Sequence, residues 1–158
     1  MRFFKKHISL FILFLFLIAT IVIIIKSSEY NDYFCQLYNN DSFHYSLITL
    51  NSVIAGFLFS GISILVSLIS IPSIKRLWSN GYLDNLYHSG ILGITLNIIS
   101  IIFGFIITLK LTIFNFNQDT YQRVLTILEL ATMLNGLVCF IICVSELVYC
   151  INLLRRSE

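Results

Sequence analysis

The sequence has few charged residues and almost no proline. Asp, Glu, Lys and Arg make up 11% of its 158 residues, whereas apolar residues make up 58%. A soluble domain is about 25% charged and about 45–50% apolar. A soluble fold of this length exposes too much surface to hide so many apolar side chains. One proline and seven glycines exclude a collagen-like or disordered chain. The composition therefore predicts an integral membrane protein.

Several functional classes are also excluded by what is missing. The formal charge of +2 is too small for a nucleic-acid-binding protein, and four cysteines are too few for a disulfide framework. The three histidines, His7, His44 and His88, lie at span ends or in a loop, so no pair of them suits a haem. No Cys-x-x-Cys pair, phosphate-binding glycine loop, His-Glu-x-x-His motif or nucleophile elbow occurs. We expect a non-enzymatic protein without a metal or cofactor.

Four apolar stretches are long enough to cross the membrane, since about 20 helical residues span about 30 Å of hydrocarbon. They cover residues 8–25, 47–71, 89–109 and 124–154. The chain is therefore predicted to be a single all-α domain, 1–158, built as a bundle of four transmembrane helices in the lipid bilayer. The basic start before the first stretch is also how a secretory signal begins. No small-x-small cleavage motif precedes Lys26, which favours a retained signal-anchor helix.

The distribution of basic residues predicts the orientation of the bundle, because cytoplasmic loops carry an excess of Lys and Arg. With the N-terminus in the cytosol, three basic residues fall outside: Lys26, Lys110 and Arg123. Seven fall inside: Arg2, Lys5, Lys6, Lys75, Arg76, Arg155 and Arg156. Both termini are therefore predicted to be cytosolic.

Small and polar residues mark helix contacts in membranes. The second and third spans each carry such a stripe at the same offsets of 0, 4, 8, 11 and 15 residues, which place it in an arc of about 80°. The second-span stripe is Ser52, Gly56, Ser60, Ser63 and Ser67, and the third-span stripe is Ser89, Gly93, Asn97, Ser100 and Gly104. We predict that these two helices pack face to face along the stripes. A chance distribution of common membrane residues is the alternative.

The fourth span carries the most polar stripe of the chain, with Asn135, Cys139, Cys143 and Glu146 on one face. If this helix is centred near Cys139, Glu146 lies about 10 Å from the midplane and Glu129 about 15 Å. A carboxylate at that depth usually faces a bundle interior or a water-filled cavity. Two interpretations follow for Glu146: a ring of carboxylates around an ion path in a homo-oligomer, or a bland one, in which it is a protonated or hydrogen-bonded structural side chain or lies near the cytosolic interface.

The run from Asn51 to Ser63, Asn-Ser-Val-Ile-Ala-Gly-Phe-Leu-Phe-Ser-Gly-Ile-Ser, and the run from Gly81 to Leu86, Gly-Tyr-Leu-Asp-Asn-Leu, resemble small multi-pass membrane proteins of bacteria. Some of these proteins are membrane effectors of antiphage defence operons. The resemblance covers about the second and third spans. It implies a bacterial inner-membrane protein that is activated by an operon-encoded partner.

Three functions are therefore expected as candidates. The first is an oligomeric effector or ion channel that depolarises the cell. The second is a binding protein of the bacteriocin-immunity type. The third is a structural subunit of a larger membrane complex. An oligomer with a carboxylate-lined path favours the effector or channel. A monomer with a critical outer loop favours the immunity-type protein, and dependence on a co-expressed partner favours the structural subunit.

Overall fold

The computed structural model describes residues 40–79, 81, 83–111 and 118–156, together with residues 18, 20–22 and 26. Helix α1 is Asp41–Ser67, and a 3-10 turn, Leu68–Ser70, continues it. Helix α2 is Pro72–Ser79, α3 is Asp84–Thr108 and α4 is Gln118–Arg156. Within these ranges every regular element is helical, as the composition predicts.

Three of these helices are long and apolar enough to span a membrane: the α1 segment through Ser70, α3, and Tyr121–Asn152 within α4. They correspond to the second, third and fourth predicted spans. The first predicted span, 8–25, lies outside the described residues except for residues 18 and 20–22, which are helical. Residues 27–39, which connect the first and second predicted spans, also lie outside them.

The ends of the helices follow from local chemistry. Helix α1 begins after Asn40, whose side-chain oxygen accepts hydrogen bonds from the backbone N–H groups of Ser42 and Phe43. The 3-10 turn ends just before Pro72, which opens the amphipathic helix α2 where a loop was predicted. Gly81, with a φ of 75°, then closes the turn toward α3, because this left-handed conformation suits a residue without a Cβ.

Helix α3 lies at the centre of the bundle and packs against both α1 and α4. All five residues of the third-span stripe are buried in these contacts: Ser89, Gly93, Asn97, Ser100 and Gly104. A Cβ built at Gly93 would lie 2.8 Å from Cδ1 of Leu58 in α1 and 3.0 Å from Cβ of Cys139 in α4. The missing side chain of Gly93 thus lets three helices approach one another.

The second-span stripe does not make the contact that we expected. Ser52, Gly56, Ser60 and Ser63 are exposed, and a Cβ at Gly56 would meet nothing within 4 Å. The Ser52 and Ser63 hydroxyls donate to carbonyls of their own helix, each at 2.8 Å. Such serines satisfy their polar groups without a partner helix, so they are poor markers of a contact face.

Helix α1 instead packs on α3 and α4 through its opposite side. The buried residues there are His44, Leu47, Ile48, Asn51, Ile54 and Leu58. They recur every three or four positions, as one face of a helix requires. The predicted pairing of the second and third spans is therefore present, but it uses a different face of the second span.

Alanine substitutions at Gly93 and Gly56 should distinguish a buried contact face from an exposed one. Gly93→Ala should lower the free energy of unfolding by about 1–2 kcal/mol, because the new methyl group enters an occupied contact. Gly56→Ala is the matched control and should leave the unfolding of the protomer unchanged. Thermal unfolding in detergent measures both variants. Equal loss of stability in the two would contradict the packing described above.

Candidate functional site

The most polar place in the described bundle is a buried pair between α1 and α4. Nδ1 of His44 lies 2.6 Å from Oε2 of Glu129, and both side chains are 0% exposed. One proton must lie between these two atoms to make the hydrogen bond, whichever atom carries it. A carboxylate without a partner in this position would be costly, and the hydrogen bond to His44 lowers that cost.

Two residues of α3, Ser100 and Gly104, complete the surroundings of the His44–Glu129 pair. A Cβ at Gly104 would lie only 2.6 Å from Oε1 of Glu129, so the carboxylate rests directly against the backbone of α3. The Ser100 hydroxyl donates to the backbone carbonyl of Glu129 at 2.9 Å. Ser100 also accepts a hydrogen bond from Nδ2 of Asn51 at 2.8 Å. Helices α1, α3 and α4 are thus linked by hydrogen bonds around Glu129.

Two further amides extend this polar interior toward the middle of α3. Asn97 donates through Nδ2 to the Gly93 carbonyl at 2.7 Å, and its side chain lies against Gly136. Asn135 donates to the Ala131 carbonyl at 2.7 Å and to the Thr20 hydroxyl at 3.2 Å. The second bond attaches Thr20 to α4.

We call this region the polar half of the bundle. It comprises His44, Asn51, Asn97, Ser100, Glu129 and Asn135, which are all fully buried. From Asn97 to Gly104 it extends about 10 Å along α3. The remaining interior, which we call the apolar half, is centred on Ile54, Leu58, Leu86 and Cys143.

Four oxygen atoms of the polar half have no hydrogen-bond partner within the described chain: Oδ1 of Asn51, Asn97 and Asn135, and Oε1 of Glu129. The amide nitrogens of the three asparagines already donate to oxygen atoms. Exchanging O and N in these amides would therefore break existing bonds. All four partnerless groups are acceptors, and a buried acceptor without a donor is expensive in hydrocarbon.

The two carboxylates of α4 exchange the depths that we expected. Asn97, near the middle of α3, lies against Gly136, so α4 is centred near Gly136 and not near Cys139. Glu129 is then about 10 Å from the centre and Glu146 about 15 Å. Glu146 is only partly buried, whereas Glu129 is completely buried.

Most of the fourth-span stripe lies in the interior of the protomer. Asn135, Cys139 and Cys143 are buried inside the protomer. They therefore face the protomer's own helices and not a central path between copies. The structure brings Cys139 next to Gly93 of the third-span stripe, and it brings Gly136, the chain neighbour of Asn135, next to Asn97.

Sequence reasoning missed His44 and underrated Glu129. The predicted apolar stretch begins only at Leu47, so it leaves His44 outside the helix. His44, Asn51 and Leu58 nevertheless repeat at intervals of seven residues, which is two helical turns. If this repeat is extended by one step toward the N-terminus, beyond the apolar stretch, it reaches the histidine. The repeat is therefore the sequence signal for His44.

Comparisons of the chain with protein-family models, with curated proteins and with solved structures find no match.

Proposed function

We propose that the protein is a non-enzymatic, multi-pass protein of a bacterial inner membrane that lets small cations cross the bilayer, as an effector or ion channel of the antiphage-defence type. The observation that carries the proposal is the fully buried polar half, with a carboxylate and three amides inside membrane-spanning helices. Ionisable groups inside a membrane are costly and typically serve ion or proton paths.

The path that this geometry supports runs through the interior of the protomer. The polar half offers oxygen atoms to a cation for about 10 Å along α3. The apolar half, packed around Leu58, Leu86 and Cys143, closes the path below it. Hydrophobic constrictions gate channels by excluding water. Opening then means separating α1 from α3 and α4 in the apolar half, under the action of an operon-encoded partner.

The exposed side of α1 supports association of several copies. It presents large apolar side chains, among them Phe57, Phe59 and Ile64, next to the open surface at Gly56. Small residues allow backbones of neighbouring helices to approach closely. In this proposal copies meet along α1, and each protomer carries its own path.

The proposed topology has four spans with both termini in the cytosol, which places the polar half toward the outer surface. Its support is the distribution of seven basic residues inside against three outside. A reporter that is active only outside the cytoplasm should stay inactive when fused after Glu158. Activity of that fusion would place the C-terminus outside the cytoplasm and contradict the proposed orientation.

A structural subunit of a larger membrane complex is the second candidate. The exposure of α1 favours it, because only 11% of the 18-residue apolar stretch of this helix is buried within the protomer. Under this alternative a different protein covers α1, and the polar half only holds the protomer together. The two functions differ in whether the isolated protein makes membranes leaky.

Flux measurements on the protein reconstituted in liposomes test the proposal. The wild type should dissipate a potassium or proton gradient, and Glu129→Gln should reduce the flux at least about tenfold by removing the negative charge from the path. Glu146→Gln is the matched control, on the same helix but outside the polar half, and should retain most of the flux.

Two other results would change the assignment. A full effect of Glu146→Gln with none of Glu129→Gln would restore a path between copies. Absence of flux from the wild type, with and without its operon partners, would leave the structural subunit as the function. Gel filtration and circular dichroism of each variant show whether a loss of flux reflects unfolding.

A further inference from the structure

Helix α2 has one basic face and one apolar face. Lys75, Arg76 and Ser79 are exposed, and at about 100° per residue they lie on one side of the helix. Ile74 and Trp78 are one turn apart on the other side, and both are partly buried. A helix divided in this way is typical of segments that lie along a membrane surface, with the apolar face toward the acyl chains.

The neighbouring helices place α2 at the edge of the hydrocarbon. It connects the ends of α1 and α3, which are both long and apolar enough to span the membrane, so it lies at one membrane surface. Tyr87 precedes Asn97, near the middle of α3, by ten residues, about 15 Å. Half of a hydrocarbon core about 30 Å thick is the same distance. Tyr87 therefore lies at the boundary between acyl chains and headgroups.

An aromatic contact holds α2 at this level. The ring centroids of Trp78 and Tyr87 are 5.9 Å apart, with an interplanar angle of 63°. The backbone N–H of Gly81 donates to the Trp78 carbonyl at 2.8 Å, which closes the turn after α2. Tryptophan and tyrosine are enriched at membrane interfaces, because each has an apolar body and a polar group. The contact thus keeps the apolar face of α2 beside the first turns of α3.

The basic side chains of α2 are available to a ligand. Neither Lys75 nor Arg76 forms an ion pair within the part of the chain that the structure describes. Asp84, the nearest acidic residue along the chain, is itself exposed at the start of α3. Two exposed cations beside the headgroups attract negative charge, and the phosphates of anionic lipids supply it at this depth.

The end of α4 brings two further basic residues to the same end of the bundle. Helix α4 runs antiparallel to α3, and Sγ of Cys143 lies 3.9 Å from the carbonyl oxygen of Leu86. From Cys143 the helix continues for about 20 Å to Arg156, past the start of α3. Arg155 and Arg156 therefore lie on the same side of the membrane as α2. A cluster of basic residues next to membrane spans is typical of proteins that bind anionic lipids.

We propose that the basic face of α2 binds the headgroup of an anionic phospholipid. Arg76 can donate two parallel hydrogen bonds to a phosphate, and Lys75 adds a point charge beside it. The contact of Trp78 with Tyr87 sets the depth of the site. A zwitterionic lipid carries the same phosphate without a net charge, so the site should distinguish the two. The proposal does not depend on the cation path, because lipid binding is measured without any flux.

Fluorescence of the full-length protein in lipid bilayers tests the site. Trp78 is the one tryptophan of the chain, so its emission reports on α2 alone. Bilayers of phosphatidylcholine contain the same small fraction of either brominated phosphatidylglycerol or brominated phosphatidylcholine, because bromine quenches only a tryptophan that it contacts. The anionic lipid should bind at least about fivefold more strongly, the factor that one basic residue near an anionic surface contributes. Higher salt should weaken the preference, since the Debye length falls from about 10 Å at 0.1 M to about 3 Å at 1 M.

Substitutions separate the basic face of α2 from the net charge of the protein. Lys75→Gln and Arg76→Gln should each lower the preference for phosphatidylglycerol at least about twofold, and the double variant should abolish it. Lys110→Gln removes the same charge at the opposite end of α3 and should retain the full preference. All three positions are exposed, so the variants should fold like the wild type, which circular dichroism checks.

Three results would overturn the proposal. Equal quenching by the two brominated lipids would mean that α2 does not select negative charge. No quenching by either lipid would place α2 clear of the bilayer, with its basic face turned to a protein partner instead. A loss of preference in Lys110→Gln equal to that in Lys75→Gln would mean that the net charge of the protein, and not α2, attracts the lipid.

Discussion

Replacing His44 by leucine should lower the free energy of unfolding by about 3–5 kcal/mol, one of the largest effects expected from a single substitution in this chain. The substitution leaves Glu129 buried with neither of its oxygens satisfied, since Oε2 loses its partner and Oε1 has none in the described chain. The carboxyl group must then stay protonated without an acceptor or draw water into the helix contact. Either route destabilises the folded protomer.

The double variant His44→Leu, Glu129→Leu should recover most of that loss. Replacing both members of a buried ion pair by apolar residues of similar volume is often neutral or stabilising, whereas removing one partner is not. Unfolding in detergent by heat or by a denaturing surfactant gives the four free energies of the cycle. The expected coupling between positions 44 and 129 is therefore strong.

His88→Leu is the matched control for the histidine. His88 lies near the start of α3 and is exposed, so its replacement should change the stability by less than about 0.5 kcal/mol. If His44→Leu behaved like His88→Leu, the buried pair would contribute nothing to the fold. If the double variant were as unstable as the single one, the loss would come from packing at position 44 and not from the unpaired carboxylate.

The positions of the three described apolar helices could be predicted from the sequence, because hydropathy alone decides which segments can lie in hydrocarbon. The three described spans, which begin at Asp41, Asp84 and Tyr121, begin three to six residues earlier than predicted. Such ends depend on capping, here by Asn40, and on polar residues such as His44 that hydropathy counts as loop. The contact face of the third span could also be predicted, because Gly93 and Gly104 are small and lie at the helical offsets of one face.

The face of α1 that packs could not be selected by the same rule. Both sides of α1 carry small or polar residues at helical spacing, represented by Ser52 on one side and Asn51 on the other. The distinction is energetic: a serine hydroxyl can bond to its own helix, as Ser52 does to Ile48, whereas the Asn51 amide donates to Ser100 of another helix. Asparagine therefore carries more information than serine about a contact face in membranes.

The depth of each carboxylate could not be derived from one helix alone. Tyr121–Asn152 is 32 residues long, about 48 Å, and a helix longer than the hydrocarbon core can be positioned in several ways. Packing against α3 selects one of them, through the contact of Asn97 with Gly136. A shift of only three residues, from Cys139 to Gly136, exchanges the depths of Glu129 and Glu146.

The contact between Asn97 and Gly136 leads to the second prediction of a large loss of stability. Gly136→Ala should lower the free energy of unfolding by about 3 kcal/mol, because its Cβ would lie 2.6 Å from Nδ2, 2.9 Å from Cγ and 3.0 Å from Oδ1 of Asn97. Asn97 is fully buried and bonded to the Gly93 carbonyl at 2.7 Å, so it cannot move aside without losing that bond. The new methyl group therefore either separates α3 from α4 or leaves polar atoms unpaired.

A second substitution should relieve this strain. Asn97→Ala alone should change the free energy of unfolding by less than about 1 kcal/mol, because the lost bond lies within α3 and a partnerless oxygen is removed with it. In the background of Asn97→Ala, Gly136→Ala should then be tolerated, since the space of the amide is vacant. Four unfolding curves in detergent measure the coupling. Additive losses would mean that α3 and α4 do not meet at these two residues, and the register that places Glu129 in the polar half would be wrong.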